Sequence, residues 1–254
     1  MSQLAVIIVS FNCRDALRDC LRTLPPVRTL VVDNASADGT VAMLRNEFPT
    51  VTVIANDTNR GFAAAANQGI TATTEPFVLL LNPDTLNPPL AALVDFMQTN
   101  PDTGACGPRI LDATGATQVT CRRFPTWWRM SLAELGIRCF YYINNPGTDV
   151  DQLIGACLML RRTALDAVGL LDERFFLYFE EVDLCLRLRR SGWRVRFLPD
   201  ATVTHLGGKC SGIVPAENLR HRYASLFAFY RKHYPRWQLV PLWIAVQIRK
   251  ALRP

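Results

Sequence analysis

The sequence predicts an α/β fold: a mostly parallel, Rossmann-like central sheet flanked by helices, with a C-terminal helical extension. Short β-branched runs alternate with segments of helical periodicity over residues 1–100. The links between them are short, which favours right-handed β-α-β crossovers. At 254 residues, with 49% hydrophobic and 20% charged side chains, the chain can bury a full core.

Each element of the first half is predicted from its own pattern. Residues 4–10 form a continuous β-branched run, typical of a strand covered on both faces. Helical periodicity follows at 13–23 and stops at Pro25 and Pro26. The pattern then predicts a strand over 28–33, a helix over 39–47, a strand over 51–55, a helix over 62–73 and a strand over 76–81.

The second half is less regular. Residues 121–150 are interpreted as long connections around a short helix near 129–139. Strand character returns at 153–161, and Thr163 with Asp166 predicts a capped short helix. The remaining elements are a helix over 179–191, short strands over 193–199 and 201–205, a helix over 216–233 and an apolar, aromatic tail over 237–249.

Charge and cysteine usage bound the function. Residues 1–120 carry 7 basic and 11 acidic side chains, whereas 121–254 carry 21 basic and 11 acidic, so the second half suits an anionic partner. The eight cysteines form no CxxC pair, which disfavours a zinc ribbon and favours a reducing compartment. We expect no signal peptide, because the N-terminus lacks a basic region and becomes polar after seven apolar positions. We expect no spanning helix, because no run of about 18 apolar residues occurs.

Polar side chains follow three of the predicted strands. Ser10 and Asn12 close the first strand, and Asp33 closes the second. Asn82 and Asp84 follow the fourth. Ligands of such sheets bind beyond the carboxyl ends of the strands. Asp33 is therefore either an acceptor for a base or ribose or a turn residue, and Asp84 is either a ligand for a hard divalent cation or a helix cap.

A glycine precedes an alanine-rich helix at Asn59-Arg60-Gly61-Phe62. Backbone N–H groups at such a helix start suit an anion, although a tightly packed alanine helix explains the pattern equally well. Neither GxGxxG after the first strand nor a P-loop occurs, which disfavours a nicotinamide cofactor and P-loop chemistry.

Acidic residues crowd the start of the predicted helix over 179–191. Glu180, Glu181 and Asp183 suit a general base, but they also complement the helix dipole. An Asp183–Arg187 ion pair is the alternative role for Asp183. His205 ends a predicted strand and is interpreted as either a metal ligand or a surface histidine.

Seven motifs follow one another along the chain: VIIVSFN, VVDNASADGT, NRGFAAAANQG, LLLNPD, GACLMLRR, LDERFFLYFEEVDLCLRLRRSGW and THLGGKCS. In this order they resemble the family-two inverting glycosyltransferases of the GT-A fold, close to the bacterial rhamnosyltransferase-like branch. The resemblance covers about residues 4 to 235. It implies a glycosyltransferase domain over 1–235, with a nucleotide-binding half over 1–111 and an acceptor and catalytic half over 112–235, followed by an amphipathic tail over 236–254.

The resemblance implies transfer with inversion from a nucleotide-sugar donor, dTDP-rhamnose-like or a UDP-sugar, to a saccharide or lipid-linked acceptor in cell-surface polysaccharide synthesis. By position, the resemblance implies that the nucleoside is bound by Ser10, Asn12 and Asp33. It implies that the ribose, diphosphate or donor sugar is lined by Asn59, Arg60, Gly61 and Phe62. It also implies that the donor sugar and the acceptor are bordered by Gly155 and Ala156. Asn82 and Lys209 complete the predicted donor-binding set.

The resemblance also implies a bound Mg²⁺ or Mn²⁺, with Asp84 and His205 as its ligands, and Glu181 as the base. The chain departs from the family pattern at two places. Only one carboxylate stands in Asn82-Pro83-Asp84, and Glu181 stands where aspartate is usual, which leaves Glu180 and Asp183 as alternative bases.

The tail over 237–254 combines tryptophans and aliphatic residues with basic flanks. This composition is typical of an interfacial helix, and a lipid-linked acceptor would explain it. The alternatives are packing on the body or a homodimer interface. We therefore expect a cytoplasmic protein, peripheral at the inner face of the membrane, that binds no nucleic acid.

Two other functions stay open at this stage. A nucleotidyltransferase would need a glycine-rich basic loop after the first strand, which residues 10–15 lack. A non-catalytic binder of sugar nucleotides or nucleic acid would use the basic half, but the acids over 180–183 argue against a nucleic-acid surface there.

Overall fold

The computed structural model describes residues 2–143, 147–207 and 215–252. It confirms the predicted class, with helices around a large, mostly parallel sheet. The elements are β1 (Leu4–Ser10), α1 (Arg14–Thr23), β2 (Arg28–Asp33), α2 (Thr40–Glu47), β3 (Thr52–Ala55), α3 (Phe62–Thr71), β4 (Phe77–Leu81), β5 (Thr85–Leu86), α4 (Leu90–Thr99), β6 (Thr103–Leu111), β7 (Cys121–Arg122), α5 (Trp127–Glu134), β8 (Gln152–Leu153), β9 (Cys157–Arg161), α6 (Arg162–Val168), α7 (Glu180–Arg190), β10 (Arg194–His205), α8 (Pro215–His233), a 3₁₀ turn (Arg236–Gln238) and α9 (Leu239–Ala251).

The eight strands of the main sheet lie in the order β3-β2-β1-β4-β9-β6-β10-β5. The first four are mutually parallel, as predicted. β9 is antiparallel to both β4 and β6, and β10 runs parallel to β6. β10 therefore runs in the same direction as β4. Its last residue, His205, reaches the edge of the sheet where β1, β2 and β4 end, and Ala156, which precedes β9, lies at that same edge.

Helices cover the sheet on both faces, which explains the continuous apolar strands. Leu4, Val6 and Ile8 of β1 belong to one core, together with residues of α1, α2 and α4. Ala5 and Ile7 belong to the opposite core, which α3, α6 and α7 cover. All five side chains are buried. Alternation along one strand thus serves two cores.

Three local predictions are wrong. The predicted strand over 153–161 is divided into β8, which pairs with β7 in a separate two-stranded sheet, and β9 of the main sheet. The segments 193–199 and 201–205 form the single strand β10, whose register shifts between Leu198 and Thr202. Pro199 lies in this shift and has no N–H to donate to the ladder, so the strand bulges without ending. Thr163 does not begin α6, because the N-cap position is Arg161.

Sequence reasoning did not assign α4 or β6. Glycines weaken the strand pattern of β6, but close neighbours require them there. A Cβ at Gly104 would lie 2.9 Å from the Cβ of Trp193, and one at Gly107 would lie 3.0 Å from the Cys157 carbonyl oxygen. The missing side chains let β6 pack against its neighbours at short range.

α5, α8 and α9 form a further layer against the outer side of α7. Their common core includes Leu226, Phe229, Tyr230, Leu242 and Val246. The buried Glu134 of α5 pairs with Arg222 of α8 and Arg249 of α9, which joins the three helices. α9 is thus anchored through one of its faces. None of the helices in the described parts of the chain is long and apolar enough to span a bilayer.

Gly69 of α3 tests how closely this helix packs on the sheet. A Cβ at Gly69 would lie 2.4 Å from Cγ2 of Ile7. We expect Gly69→Ala to lower the free energy of unfolding by about 1–3 kcal/mol, because overpacking outweighs the better helix propensity of alanine.

Urea denaturation measures this difference, with Thr71→Ala at an exposed position of the same helix as the control. The control should change stability by less than about 0.5 kcal/mol. A Gly69→Ala variant as stable as the wild type would show that α3 is not held at this distance.

Candidate active site

A cavity of about 320 Å³ opens at the carboxyl edge of the sheet. Its wall is formed by Val9, Phe11, Asn34, Asn59, Gly61, Phe62, Asn82, Pro83, Asp84, Phe176, Leu177, Tyr178, His205 and Asn218. The predicted site residues Asn59, Gly61, Phe62, Asn82, Asp84 and His205 therefore come together in one place. They arrive from β4, β10 and the loop that precedes α3.

Asn34 organises the loop before α3. Its Oδ1 accepts hydrogen bonds from the backbone N–H of Arg60 at 3.3 Å and from Nδ2 of Asn56 at 3.0 Å. Its Nδ2 donates to the Gly61 carbonyl at 3.0 Å. The buried amide thus holds the loop in place. Sequence reasoning missed this role of Asn34, although an amide next to Asp33 is the signal that carries it.

Gly61 allows the loop to touch the segment before α7. It has φ of +82°, and a Cβ here would lie 2.6 Å from the Phe176 carbonyl oxygen. The N–H of Phe62 donates to that same oxygen at 2.7 Å. Only glycine accommodates both the left-handed backbone and the contact. Arg60 contributes its backbone N–H, which donates to Asn34, but the residue is exposed to solvent.

Three predicted site residues at or just after the ends of β1 and β2 are not part of the cavity wall: Ser10, Asn12 and Asp33. Oδ2 of Asp33 accepts the N–H of Ser36 at 2.9 Å. Asn12 donates its N–H to Oγ of Ser36 and accepts the N–H of Ala37 on Oδ1. Oδ1 of Asp33 is buried and has no hydrogen-bond partner within the described residues. A buried carboxylate oxygen without a hydrogen-bond partner is uncommon in folded proteins.

Asp84 and His205 are in contact with each other in the wall of the cavity. β5 pairs with the end of β10, where Thr85 lies opposite His205. Oδ1 of Asp84 lies 3.2 Å from Nε2 of His205, and the Asp84 side chain is almost fully buried. Nδ2 of Asn82 also approaches Nε2, at 3.4 Å. The turn after β4 and the end of β10 thus bring a carboxylate and an imidazole to one point.

Gln118 orients the imidazole, a role that sequence reasoning missed. Nε2 of Gln118 donates to the His205 carbonyl at 2.9 Å, so its Oε1 faces Nδ1 of the ring at 3.2 Å. The inferred tautomer has the proton on Nδ1 and leaves a lone pair on Nε2, towards Asp84. Ligating histidines are commonly held in this way through their second nitrogen. No short motif marks Gln118, because its partner is distant in sequence.

The donor set at this point fits a hard divalent cation with an open coordination sphere. A carboxylate oxygen and a neutral imidazole nitrogen both suit Mn²⁺ and Mg²⁺. Across residues 2–143, 147–207 and 215–252, no group of three or more His, Cys, Asp or Glu side chains could hold a metal. The described residues would therefore offer such a cation two ligands at this point. Lys209 lies outside the described residues.

Glu181 lies beside the backbone that supports the cavity. A Cβ at Gly155 would be 3.9 Å from the Cβ of Glu181, so Gly155 borders this side chain. The next carbonyl, of Ala156, accepts the N–H of Asn82 at 2.9 Å and Oγ1 of Thr85 at 3.4 Å. Glu180 and Glu181 are not in the wall of the cavity itself. The Gly155–Ala156 backbone connects Glu181 to the turn that presents Asp84.

Glu180 and Glu181 stand at the start of α7. Among the described residues, no cationic side chain lies within hydrogen-bond distance of either carboxyl. Oε2 of each is buried and accepts no hydrogen bond there. Burial raises the pKa of both carboxyls; the charge of Glu181 adds to the effect on Glu180, whereas Arg122 opposes it at Glu181. Such an environment is typical of a general base.

The residues that precede the glutamates have a strained backbone. Tyr178 and Phe179 have φ of +69° and +70°, in the left-handed region that bulky residues rarely adopt. Tyr178 is also part of the cavity wall. Such strain persists where the surroundings fix it and concentrates at functional sites. Here it comes directly before the two glutamates at the start of α7.

Asp183, the third acid of the cluster, is buried within an ion-pair network. Arg187 donates to it at 2.8 Å, Lys232 at 2.5 Å and His233 at 2.6 Å. Burial favours the neutral acid, but the hydrogen bonds from His233, Lys232 and Arg187 outweigh this and hold the pKa of Asp183 below its ordinary value. The alternative prediction of an Asp183–Arg187 pair describes this residue, and its occupied oxygens disfavour it as a base.

Solved structures show which class of protein this fold and site define. A mannosyltransferase from Pyrobaculum calidifontis, solved with GDP-Man and Mn²⁺, matches 99% of this chain and 76% of its own, with a TM-score of 0.59 and 17% identity. TarS 1–349 of S. aureus in complex with UDP matches 100% of this chain and 73% of its own, with a TM-score of 0.57 and 13% identity. The fold is that of the GT-A glycosyltransferases.

The chain belongs to glycosyl transferase family 2, whose model matches residues 5–169. It is 32% identical to the N-acetylglucosaminyl-diphospho-decaprenol L-rhamnosyltransferase of Mycobacterium tuberculosis, an alignment that covers 92% of this chain and 84% of that protein. The resemblance to a rhamnosyltransferase-like branch is thereby confirmed, and the protein is a glycosyltransferase.

Asp183 provides a stability test with a defined pH dependence. Asp183→Asn should lower the free energy of unfolding at pH 7 by about 3 kcal/mol, because it removes the charge that three buried cationic or donor groups share. A carboxyl with a depressed pKa stabilises the fold above its unfolded pKa. The difference between wild type and variant should therefore shrink as the pH falls below about 4.

Urea denaturation at several pH values measures both effects. Asp166→Asn, at an exposed position of α6, is the control and should stay within about 0.5 kcal/mol of wild type. A pH-independent difference for Asp183→Asn would contradict the ion-pair assignment.

Proposed function

We propose that this glycosyltransferase is metal-dependent and inverting, and moves a sugar from a nucleoside diphosphate donor to a hydroxyl of a saccharide or lipid-linked acceptor. The observation that carries the proposal is the Asp84–His205 pair at the wall of a cavity that Glu181 approaches through Gly155. The M. tuberculosis relative, a rhamnosyltransferase by name, favours a dTDP-rhamnose-like donor, with a UDP-sugar as the alternative.

The donor binds at the carboxyl edge of the sheet. The unpartnered Oδ1 of Asp33 accepts a hydrogen bond from the nucleobase, and Ser10 and Asn12 shape the loop that surrounds it. The loop from Asn59 to Phe62, fixed by Asn34, lines the cavity beside the ribose and diphosphate. Gly155 and Ala156 leave room where the donor sugar and the acceptor meet.

Asp84 and His205 would hold the divalent cation, with Gln118 keeping the imidazole in the ligating tautomer. When bound, the cation would neutralise the negative charge that grows on the diphosphate as the glycosidic bond breaks. Because the described residues offer two ligands at this point, we expect metal binding to depend on the donor.

Glu181 acts as the base. The acceptor oxygen forms a bond to the anomeric carbon from the face opposite the diphosphate, while the bond from that carbon to the diphosphate oxygen breaks. The proton of the acceptor hydroxyl passes to the Glu181 carboxylate, and the bonding pair leaves with the nucleoside diphosphate. The raised pKa of Glu181 makes the carboxylate a stronger proton acceptor than an exposed glutamate.

The acceptor proposed here is a lipid-linked glycan. The N-acetylglucosaminyl-diphospho-decaprenol in the name of the M. tuberculosis relative belongs to that class and supports the proposal. The exposed Trp128 and the partly buried Trp127 and Tyr142 lie in the acceptor half, where aromatic faces suit a sugar ring.

Glu181→Gln should lower kcat by at least about 100-fold while leaving donor affinity nearly unchanged, because the amide cannot accept the proton. Glu180→Gln is the matched control and should stay within about tenfold of wild type. The raised pKa of Glu181 also predicts that wild-type activity falls on the acid side at a pH above the ordinary glutamate range.

Initial rates across the pH range, together with donor titrations, separate these outcomes. Near-normal turnover of Glu181→Gln would contradict the assignment of Glu181 as the base. A large loss of turnover in Glu180→Gln alone would identify Glu180 as the base instead.

Asp84→Asn should abolish metal-dependent donor binding, because the amide is a far weaker ligand for a hard cation. A thermal-shift screen with dTDP- and UDP-sugars, with Mn²⁺ or with EDTA, measures it through preferential binding to the native state. Wild type should show a donor-induced rise in melting temperature that needs Mn²⁺, and the screen ranks the donors.

Asp95→Asn, at an exposed position of α4, is the control and should behave as wild type. The metal role of Asp84 is refuted when Asp84→Asn keeps a Mn²⁺-dependent shift of wild-type size.

A further inference from the structure

Exposed apolar side chains are concentrated on one part of the molecule. Of the twelve large hydrophobic side chains that are exposed in the described chain, ten lie on α5, the segment 135–140, the 3₁₀ turn and α9 with the residue that follows it. We call this surface the tryptophan face. Its members are Trp128, Leu135, Ile137, Phe140, Trp237, Val240, Trp243, Ile244, Ile248 and Leu252.

The elements of the tryptophan face touch one another. Trp127 at the start of α5 packs edge-on against Trp237, with ring centroids 5.8 Å apart. At the other end, Arg249 of α9 donates to the Glu134 carbonyl at 3.0 Å. α5 and α9 therefore lie side by side and run in the same direction. Trp128 packs against Phe140 at 5.7 Å, which joins the segment 135–140 to α5.

α9 has apolar side chains on two faces. Leu242, Ala245 and Val246 are buried against the body of the protein. The other face is an exposed apolar stripe. Its members are at positions i, i+3, i+4 and i+8: Val240, Trp243, Ile244 and Ile248. Trp243 is 55% exposed and Leu252, just beyond the helix, is 76% exposed. Packing within the chain therefore explains only one of the two faces.

Basic residues surround this apolar stripe. The sequence from 218 to 252 contains no acidic residue. Arg231, Arg236 and Lys250 are exposed there. Arg231 also borders a groove of about 490 Å³, whose other walls are Phe227, Leu239, Val240 and Trp243. An apolar stripe with cationic flanks is the pattern of an interfacial, in-plane helix.

We propose that the tryptophan face docks on an anionic lipid bilayer, with α9 lying in the plane of the interface. α9 has 13 residues, well short of the roughly 20 needed to span the hydrocarbon core. Tryptophans and arginines are suited to the headgroup region, where apolar rings and charged groups are both accommodated. Docking of this surface goes beyond the proposed sugar transfer and does not require it.

A second copy of the chain fits this face less well than a bilayer. In a two-fold symmetric dimer the same patch meets itself, so the cationic rims of both copies would come together. No acid between 218 and 252 is available to compensate them. An anionic bilayer supplies the opposite charge over the whole rim.

α8 connects the face to the cavity. Asn218 contributes to the cavity wall and Arg231 to the basic rim, and the helical rise between them is about 20 Å. Docking thus sets the cavity at a fixed height above the headgroups. For the lipid-linked acceptor, which rests on the proposed function, this height defines the reach from the lipid anchor to Glu181.

Vesicle flotation of the full chain tests the proposal. The protein should float with vesicles of phosphatidylglycerol and phosphatidylcholine in equal parts, and at least about tenfold less with phosphatidylcholine alone. Trp243→Asp should reduce partitioning at least about tenfold. Arg236→Glu should weaken it by a similar factor, whereas Arg45→Glu, the same change at an exposed position of α2, should leave it unchanged.

Quenching by brominated lipid locates the contact on the folded protein. Of the five tryptophans, Trp193 is partly buried against the core beneath β6 and serves as the control. A variant that keeps only Trp243 should be quenched by brominated anionic vesicles, whereas one that keeps only Trp193 should not. Equal quenching of the two would contradict docking through the tryptophan face.

Three further results would overturn the proposal: no flotation with either vesicle, equal flotation with both, or a dimer in light scattering that Trp243→Asp dissociates. Donor-induced thermal shifts involve none of the altered residues. A failure of docking with intact donor shifts is therefore distinct from a failure of the proposed function.

Discussion

The site depends on the contact between Asp84 and His205. A carboxylate on the turn after β4 and an imidazole at the end of β10 lie 3.2 Å apart, although much of the chain separates them. The contact exists because β10 runs in the same direction as β4 across two intervening strands, and because β5 pairs with its last residues. A carboxylate and an imidazole are side chains of the types that ligate a divalent cation. The loop before α3 and the Gly155–Ala156 backbone lie next to this point.

The three acids at the start of α7 show how environment separates chemical roles. Asp183 is surrounded by Arg187, Lys232 and His233, which keep it ionised and use its charge to hold α8 against α7. Glu180 and Glu181 have one buried oxygen each without a partner in the described chain. The same helix terminus therefore holds one ion-paired carboxylate and two carboxyls whose pKa values are raised by burial. The left-handed backbone at Tyr178 and Phe179 comes directly before them.

Local patterns predicted the elements from β1 to β4, but not β5, α4 or β6. Continuous apolar runs gave β1, β2 and β4 with nearly correct bounds, since both faces of these strands are covered. β6 was not predicted, because its glycines Gly104 and Gly107 are required by close contacts with residues that are distant in sequence. The site showed the same division. Asp84 and His205 could be predicted because each is a ligand-type residue at or after the end of a strand. Gln118 could not, because its partner His205 is brought near only in the folded chain. The tail was predicted as either interfacial or packed, and the structure gives it one buried face and one exposed face.

The central claim is that Asp84 and His205 form a cation site that holds a nucleoside diphosphate. Anomalous diffraction from crystals grown with Mn²⁺ and dTDP or UDP tests this most directly, because it locates manganese without reference to activity. The account predicts a single strong peak within ligand distance of Oδ1 of Asp84 and Nε2 of His205, with diphosphate oxygens completing the coordination. Manganese bound elsewhere in the cleft, or a diphosphate bound with no peak at this pair, would contradict it.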